Sequence, residues 1–206
     1  QKDPNLKVEI LSDVDHEDVI SCKVDVAYLP YRPPAESLFI WDVNKVGNVP
    51  LATPEYVRKR GDPQSPEDLR THDIILRTGR NYPVTTHLQK GGEIRVLECR
   101  QIVFSGDVLS GREWLMAGMG IAIDLSLAFC WKDIEQGRLI PVLNGWSRMP
   151  WDLTVVVKKQ ALSNRRLVSF ARAIVEYESK ASENRANFHA RELKKLVAKQ
   201  GIKAAN

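Results

Sequence analysis

With 206 residues, 43% of them hydrophobic, the chain can bury one large core or two small ones. No apolar run approaches the roughly 20 residues that span a bilayer, which excludes a membrane-crossing helix. The formal net charge of +4 resides beyond Lys180, where Arg185, Arg191, Lys194, Lys195, Lys199 and Lys203 outnumber Glu183 and Glu192; the preceding part is neutral and offers phosphates no broad basic surface.

Taken in chain order, Leu6 to Leu11 alternates as a strand does, His16 to Cys22 suits a short helix, and Val24 to Leu29 reads as a second, buried strand. That order predicts a βαβ unit with parallel strands. Tyr31-Arg32-Pro33-Pro34 breaks the pattern into a loop. Thr53 with Pro54 and Ser65 with Pro66 each present a cap followed by a proline in the first turn, and Gly61 ends the first of the two helices. Asp73 to Arg77 and Gln101 to Ser105 read as strands, and Gly91-Gly92 turns a hairpin between Thr85–Lys90 and Glu93–Glu98. Asp107 caps a helix carrying Val108, Leu109, Trp114, Leu115 and Met116; Gly118 closes it, and Ile121 to Ile123 continues as a buried parallel strand. Leu153 to Val157 is a further strand. Ser163 or Asn164 caps a helix with Leu167, Phe170, Ala171, Ile174 and Tyr177 on one face, which packs on the first sheet. Beyond Ser182 a basic amphipathic segment carries Phe188, Leu193, Leu196 and Val197, either as a helix docked loosely on the domain or as a surface for nucleic acid or membrane.

Several blocks, in order, resemble the effector-binding domain of LysR-type transcriptional regulators. They are Val49-Pro50-Leu51-Ala52-Thr53-Pro54-Glu55-Tyr56-Val57 with Gly61, Ser65-Pro66-Glu67-Asp68-Leu69 with His72, the Gly118/Gly120 block, and Gly137-Arg138-Leu139 with Val142-Leu143 and Trp146. The resemblance runs from Lys2 to about Tyr177. It implies an α/β fold of two Rossmann-like subdomains, like type 2 periplasmic binding proteins, joined by crossovers near Val46–Thr53 and Leu143–Thr154. Subdomain I would comprise residues 1–50 and 151–180, subdomain II residues 51–150, and residues 181–206 a basic tail. The family's winged helix-turn-helix domain has no counterpart here. Gln1-Lys2-Asp3-Pro4-Asn5 matches the turn after the family's opening strand and helix, so an N-terminally truncated chain is expected. Asp124 departs from the family, which has an apolar residue and then proline there.

The resemblance implies a small-molecule effector held between the subdomains, a homo-oligomer, and DNA contact only through the missing N-terminal domain, with no cofactor and no membrane partner. The effector-binding residues expected are Ser12, Arg77, Thr78, Ser105, Gly106 and Asp107. Arg77 and the helix start at Gly106-Asp107 favour an acidic effector, because a guanidinium pairs with carboxylates and a helix N-terminus attracts anions. Ser12 either donates to the ligand or caps the next turn; Arg80 is expected to be a surface residue. A solute-binding protein of the periplasmic type is the rival reading, and a truncated regulator remnant without a sensing role is another.

No GxSxG, P-loop or HExxH motif occurs, and His16, His72, His87 and His189 lack metal-ligand spacing, so neither catalysis nor a metal is expected. His72 is expected at the surface or in a cap. Cys22, Cys99 and Cys130 show no CxxC spacing, which argues against disulfides or zinc, and Cys130 reads as a small buried apolar residue. With no signal-peptide pattern at its start, the chain is expected in the cytoplasm.

Overall fold

The computed structural model describes residues 6–181. Two main sheets organise it, each between packed apolar clusters. In the first, β11 (Trp151–Lys158) lies between β1 (Val26–Leu29) and β2 (Leu38–Val46), and both pairings are antiparallel. On one side Val19 of α1 (His16–Ile20), Ala27, Leu29, Leu38 and Val156 form a buried cluster. On the other, Val155 and Val157 pack against Ala171 of α5 (165–181), with Ile174 and Val175 beside them. The amphipathic face expected of α5 thus lies on this sheet, although its last member, Tyr177, is 69% exposed. Asn164 caps the helix, accepting the amides of Arg166 and Leu167.

The second sheet has five strands in the order β7-β4-β8-β3-β9: β3 (Leu51–Ala52), β4 (Asp73–Arg77), β7 (Gln101–Ser105), β8 (Ile121–Ala122) and β9 (Ile140–Pro141). β4 runs parallel to both β7 and β8, as a strand buried on both faces does. Its Ile74, Ile75 and Leu76 are at most 1% exposed, and successive residues feed the clusters on the two faces. Those faces are covered by α2 (Pro54–Arg60), α3 (Val108–Met116) and α4 (Leu127–Glu135). A small third sheet joins the hairpin β5 (His87–Lys90) and β6 (Glu93–Val96) to β10 (Ser147–Arg148); Gly91 and Gly92, both at positive φ, make the turn.

The local signals account for most of these elements. Thr53 accepts the amide of Tyr56 to start α2, Asp107 accepts those of Leu109 and Ser110 to start α3, and Gly118 at φ 69° ends α3. The Gly137-Arg138-Leu139 block closes α4: Gly137 is left-handed, and the Arg138 side chain pairs with the fully buried Asp133, which Arg112 also holds at 2.6 Å. Cys130 is buried, as expected of a small apolar residue.

Three expectations are corrected: the Leu6 to Leu11 strand, the parallel βαβ unit and the surface position of His72. Leu6 to Leu11 is not a strand: it has no ladder partner, and Leu6, Val8, Ile10 and Leu11 are 42–90% exposed. A strand exists only by hydrogen-bonding to a neighbour, and the far edge of β1 is unpaired among the described residues, so the parallel βαβ unit gives way to an antiparallel sheet. β2 was not expected; it forms because Leu38 to Val46 pairs along its whole length with β11, with a bulge opposite Leu153/Thr154. Leu109 faces solvent at 62% exposure, since the inward side of α3 is filled by Gly111 and Leu115. His72 is buried rather than superficial: its Nδ1 lies 3.1 Å from the Tyr56 hydroxyl, which also accepts the Asp73 amide, and burial lowers its pKa. The basic tail expected beyond residue 181 lies outside the described residues.

Candidate ligand site

The parallel pairing of β4 with β7 sets Arg77 beside Ser105, and β8 on the other flank of β4 is followed closely by Asp124. Three strand ends therefore converge, the position where open α/β sheets carry ligand sites. Thr78 donates its amide to the Ser105 carbonyl at 2.9 Å, tying the loop after β4 to the loop before α3. Arg77, Thr78, Ser105, Gly106 and Asp107 are thus brought together. Ser12 is exposed on a separate segment; its neighbour Asp13 accepts the Arg80 amide at 3.2 Å, so that segment meets the loop after β4.

Two of these groups are already engaged. The Ser105 hydroxyl is 1% exposed as a residue and donates to the Asp107 carbonyl at 2.5 Å. The Asp107 carboxylate accepts the Leu109 and Ser110 amides at 2.9 and 2.8 Å; hydrogen bonds from Ser110, helped by the nearby charge of Arg77, hold its carboxyl below the ordinary range. The helix start thus carries its own anion. An incoming carboxylate gains less from the α3 dipole than a bare helix end would give it, and the cationic contribution falls chiefly to Arg77.

Beneath this surface lies a polar group of a kind not anticipated. Asp124 is 1% exposed, and both its carboxylate oxygens lie 3.0 Å from the Arg77 amide that it accepts. Burial pushes its carboxyl up to about 6, against the lowering influence of that amide and of the Arg148 and Arg77 charges. Arg148, also 1% exposed, donates to the Met149 carbonyl at 2.6 Å and to the Val46 carbonyl at 3.1 Å, joining the two segments that connect the main sheets. Burial lowers its pKa to about 10, with Asp124 acting in the opposite direction. The Arg148 guanidinium stacks 3.6 Å from the Trp151 ring centroid, Trp151 lies 5.4 Å from Tyr82, and the Arg77 guanidinium sits 3.7 Å over Tyr82. A ladder of cation, ring, ring and cation thus runs from the end of β4 to the start of β11.

Alongside it a cavity of about 410 Å³ opens between the segment after β1, the loop leading into β5 and the start of β11, lined by Pro30, Tyr31, Val84, Thr85, Met149 and Trp151 among others. Sequence reading missed Tyr82, Arg148 and Trp151. The available signal was Asp124: a carboxylate at an expected apolar site must be partnered from elsewhere in the fold. Among the described residues no helix is long and apolar enough to cross a membrane, and no group of three or more His, Cys, Asp or Glu side chains is placed to hold a metal.

Comparison with known proteins identifies the architecture. Residues 1–179 match the LysR substrate binding domain family. The chain is 28% identical over 176 residues to YhjC of Escherichia coli K12, described as an uncharacterized HTH-type transcriptional regulator, covering 81% of this chain and 56% of that one. It is 25% identical over 147 residues to the HTH-type transcriptional regulator PtxR of Pseudomonas aeruginosa, covering 71% and 46%. The chain therefore spans about half the length of these relatives. Among solved structures, the regulatory domain of CrgA, a LysR-type transcriptional regulator from Neisseria meningitidis, superposes with a TM-score of 0.61 at 27% identity, covering 80% of each chain. The regulatory domain of AphB from Vibrio vulnificus gives 0.64 at 22% identity, covering 83% and 85%, a likeness of fold.

Proposed function

Because the chain belongs to the LysR substrate binding domain family, we propose that it is the sensing part of a transcriptional regulator, holding a small acidic effector between subdomain I (1–50 and 151–180) and subdomain II (51–150). The observation that carries this reading is the convergence of the β4, β7 and β8 ends on Arg77, at the place where that sheet meets segments of the other. Arg77 supplies the charge, and its side-chain Nε is buried without a hydrogen-bond partner among the described residues. Thr78 and Ser12 supply polar contacts, Gly106 lets a ligand approach the backbone closely, and Ser105 and Asp107 hold the α3 start in shape. The reading is non-catalytic: binding shifts the angle between the subdomains, and in a homo-oligomer that shift changes the spacing of helix-turn-helix domains on DNA.

The test is a thermal-shift and calorimetric screen of small mono- and dicarboxylic acids against amines and neutral sugars. Acids should stabilise the chain. Arg77→Ala should weaken the best of them about tenfold or more, as expected for a charge-assisted hydrogen bond of ~1.5–3 kcal/mol. Equal affinity in the variant removes Arg77 from the site.

A further inference from the structure

The loop from Thr78 to Thr86 leaves the end of β4 and touches the first sheet's side of the molecule at two points. Tyr82 stacks on Trp151, the first residue of β11. Arg80 reaches α1: its Nη2 lies 2.8 Å from Asp15, its Nη1 3.1 Å from Asp18, and its amide donates to Asp13 at 3.2 Å. The two carboxylates are pre-aimed. Asp15 uses one oxygen to cap α1 through the Glu17 and Asp18 amides and turns the other to Arg80. Asp18 is 6% exposed; one of its oxygens takes Lys23 at 3.2 Å, and the other takes the Asp15 amide and Arg80. Gly79 fits because a Cβ there would lie 3.2 Å from the Asp13 carboxylate and 3.3 Å from the Tyr82 ring, so the loop lies against both.

We propose that residues 78–86 form a strap and Arg80 an ionic latch, which together hold the two main sheets in a fixed relation and release them when the Arg80 pairs are broken. The charges support this. Asp13, Asp15 and Asp18 crowd one short segment against Lys23 and Arg80, so removing Arg80 leaves three mutually repelling carboxylates to one lysine within that segment and takes away its ionic tie to the strap. Arg80 is half exposed while Asp18 is buried, so the pair is open to competition by ions from the solvent side yet anchored on a rigid base. Because the strap begins at the residue after Arg77, whatever fills the cleft pulls on it directly; that coupling rests on the function proposed above, whereas the latch does not.

Hydrogen exchange read by mass spectrometry on the ligand-free full chain tests the latch. Arg80→Ala should raise exchange roughly three- to tenfold in peptides covering 13–20 and 78–86, the size expected of breaking two ion pairs of this exposure, while peptides of β4 and β8 stay as in the wild type. Raising sodium chloride from about 0.05 to about 0.5 M should loosen the same two segments in the wild type and leave Arg80→Ala unchanged. Arg80→Lys, which keeps the charge but loses the fork, should fall between them and keep its salt response. If α1 exchanges as in the wild type in Arg80→Ala, or if β4 loosens as well, Arg80 is no latch. Failure here leaves the effector site standing, since no ligand is present.

Discussion

The two main sheets teach different lessons about how a sequence specifies a fold. The five-stranded sheet carries its instructions locally. β4 is apolar through Ile74, Ile75 and Leu76, its two neighbours run parallel to it, and α2 and α3 each begin at their own cap. The three-stranded sheet is built from distant pieces: β11 must return from the far end of the chain to pair with β1 and β2, and β1 keeps a bare edge among the described residues. The first sheet's side therefore depends on contacts made after the chain has folded back, such as α5 and the strap. The second is close to self-sufficient.

That contrast can be broken most forcefully in the core of the second sheet. Ile75→Ala should cost about 3–4 kcal/mol in urea unfolding, because the side chain is 1% exposed and is enclosed by Leu51, Leu115 and Ala122. In the first sheet Ile40→Ala, partly buried, should cost about half as much. Equal losses would contradict the tighter enclosure assigned to the core of the second sheet.

Gly120→Ala sharpens the same point at the backbone. A Cβ there would lie 2.5 Å from the Asp73 carbonyl oxygen, so the β4–β8 approach must widen, at a cost of about 2 kcal/mol in the same measurement. A neutral result would show that the two strands separate without loss.

Asp124 adds a pH dependence. Its carboxyl titrates at about 6 in the folded protein against 3.8 as the ordinary value, so the folded state binds a proton more tightly than the unfolded one. Stability at this site is therefore greatest below about pH 4, falls as pH rises from about 4 to 6, and is flat above. Asp124→Asn should remove that slope and make the protein up to about 2 kcal/mol more stable at pH 7.5 than the wild type. Unfolding curves between pH 4 and 8 that are parallel for the two proteins would contradict the assignment.

The smallest effect expected is at α1. Asp15→Ala removes the cap and one carboxylate of the latch, at a cost of about 1 kcal/mol confined to hydrogen exchange of residues 13–20.

What could be read from the residues follows the same division. Asp107, Thr53, Gly118 and the Gly91-Gly92 pair each act within a few residues of themselves, so α3, α2 and the β5–β6 hairpin were legible. Leu6 to Leu11 alternates correctly but has no partner, and alternation alone cannot supply one. Leu38 to Val46 shows no clean alternation because Leu38 and Ile40 pack in one cluster, Trp41 and Val43 in the cluster on the other face, and a bulge shifts the register opposite Leu153/Thr154. In the candidate site, Arg77 and the α3 start were named from the chemistry of strand ends, and the fold brings them together. The burial of Asp124 was not, because its partners come from 47 residues away at Arg77 and from the connecting segment at Arg148. The two rings between those arginines were missed for the same reason: nothing in the sequence near Tyr82 announces Trp151.

The central claim is that a small acid binds between the two sheets rather than to either one. Hydrogen exchange with and without a saturating carboxylate identified in the screen tests it most directly. The account predicts added protection in both the 12–16 segment and the 77–82 and 105–110 segments, with all of it lost in Arg77→Ala. Protection confined to one sheet, or retained in full by that variant, would contradict it.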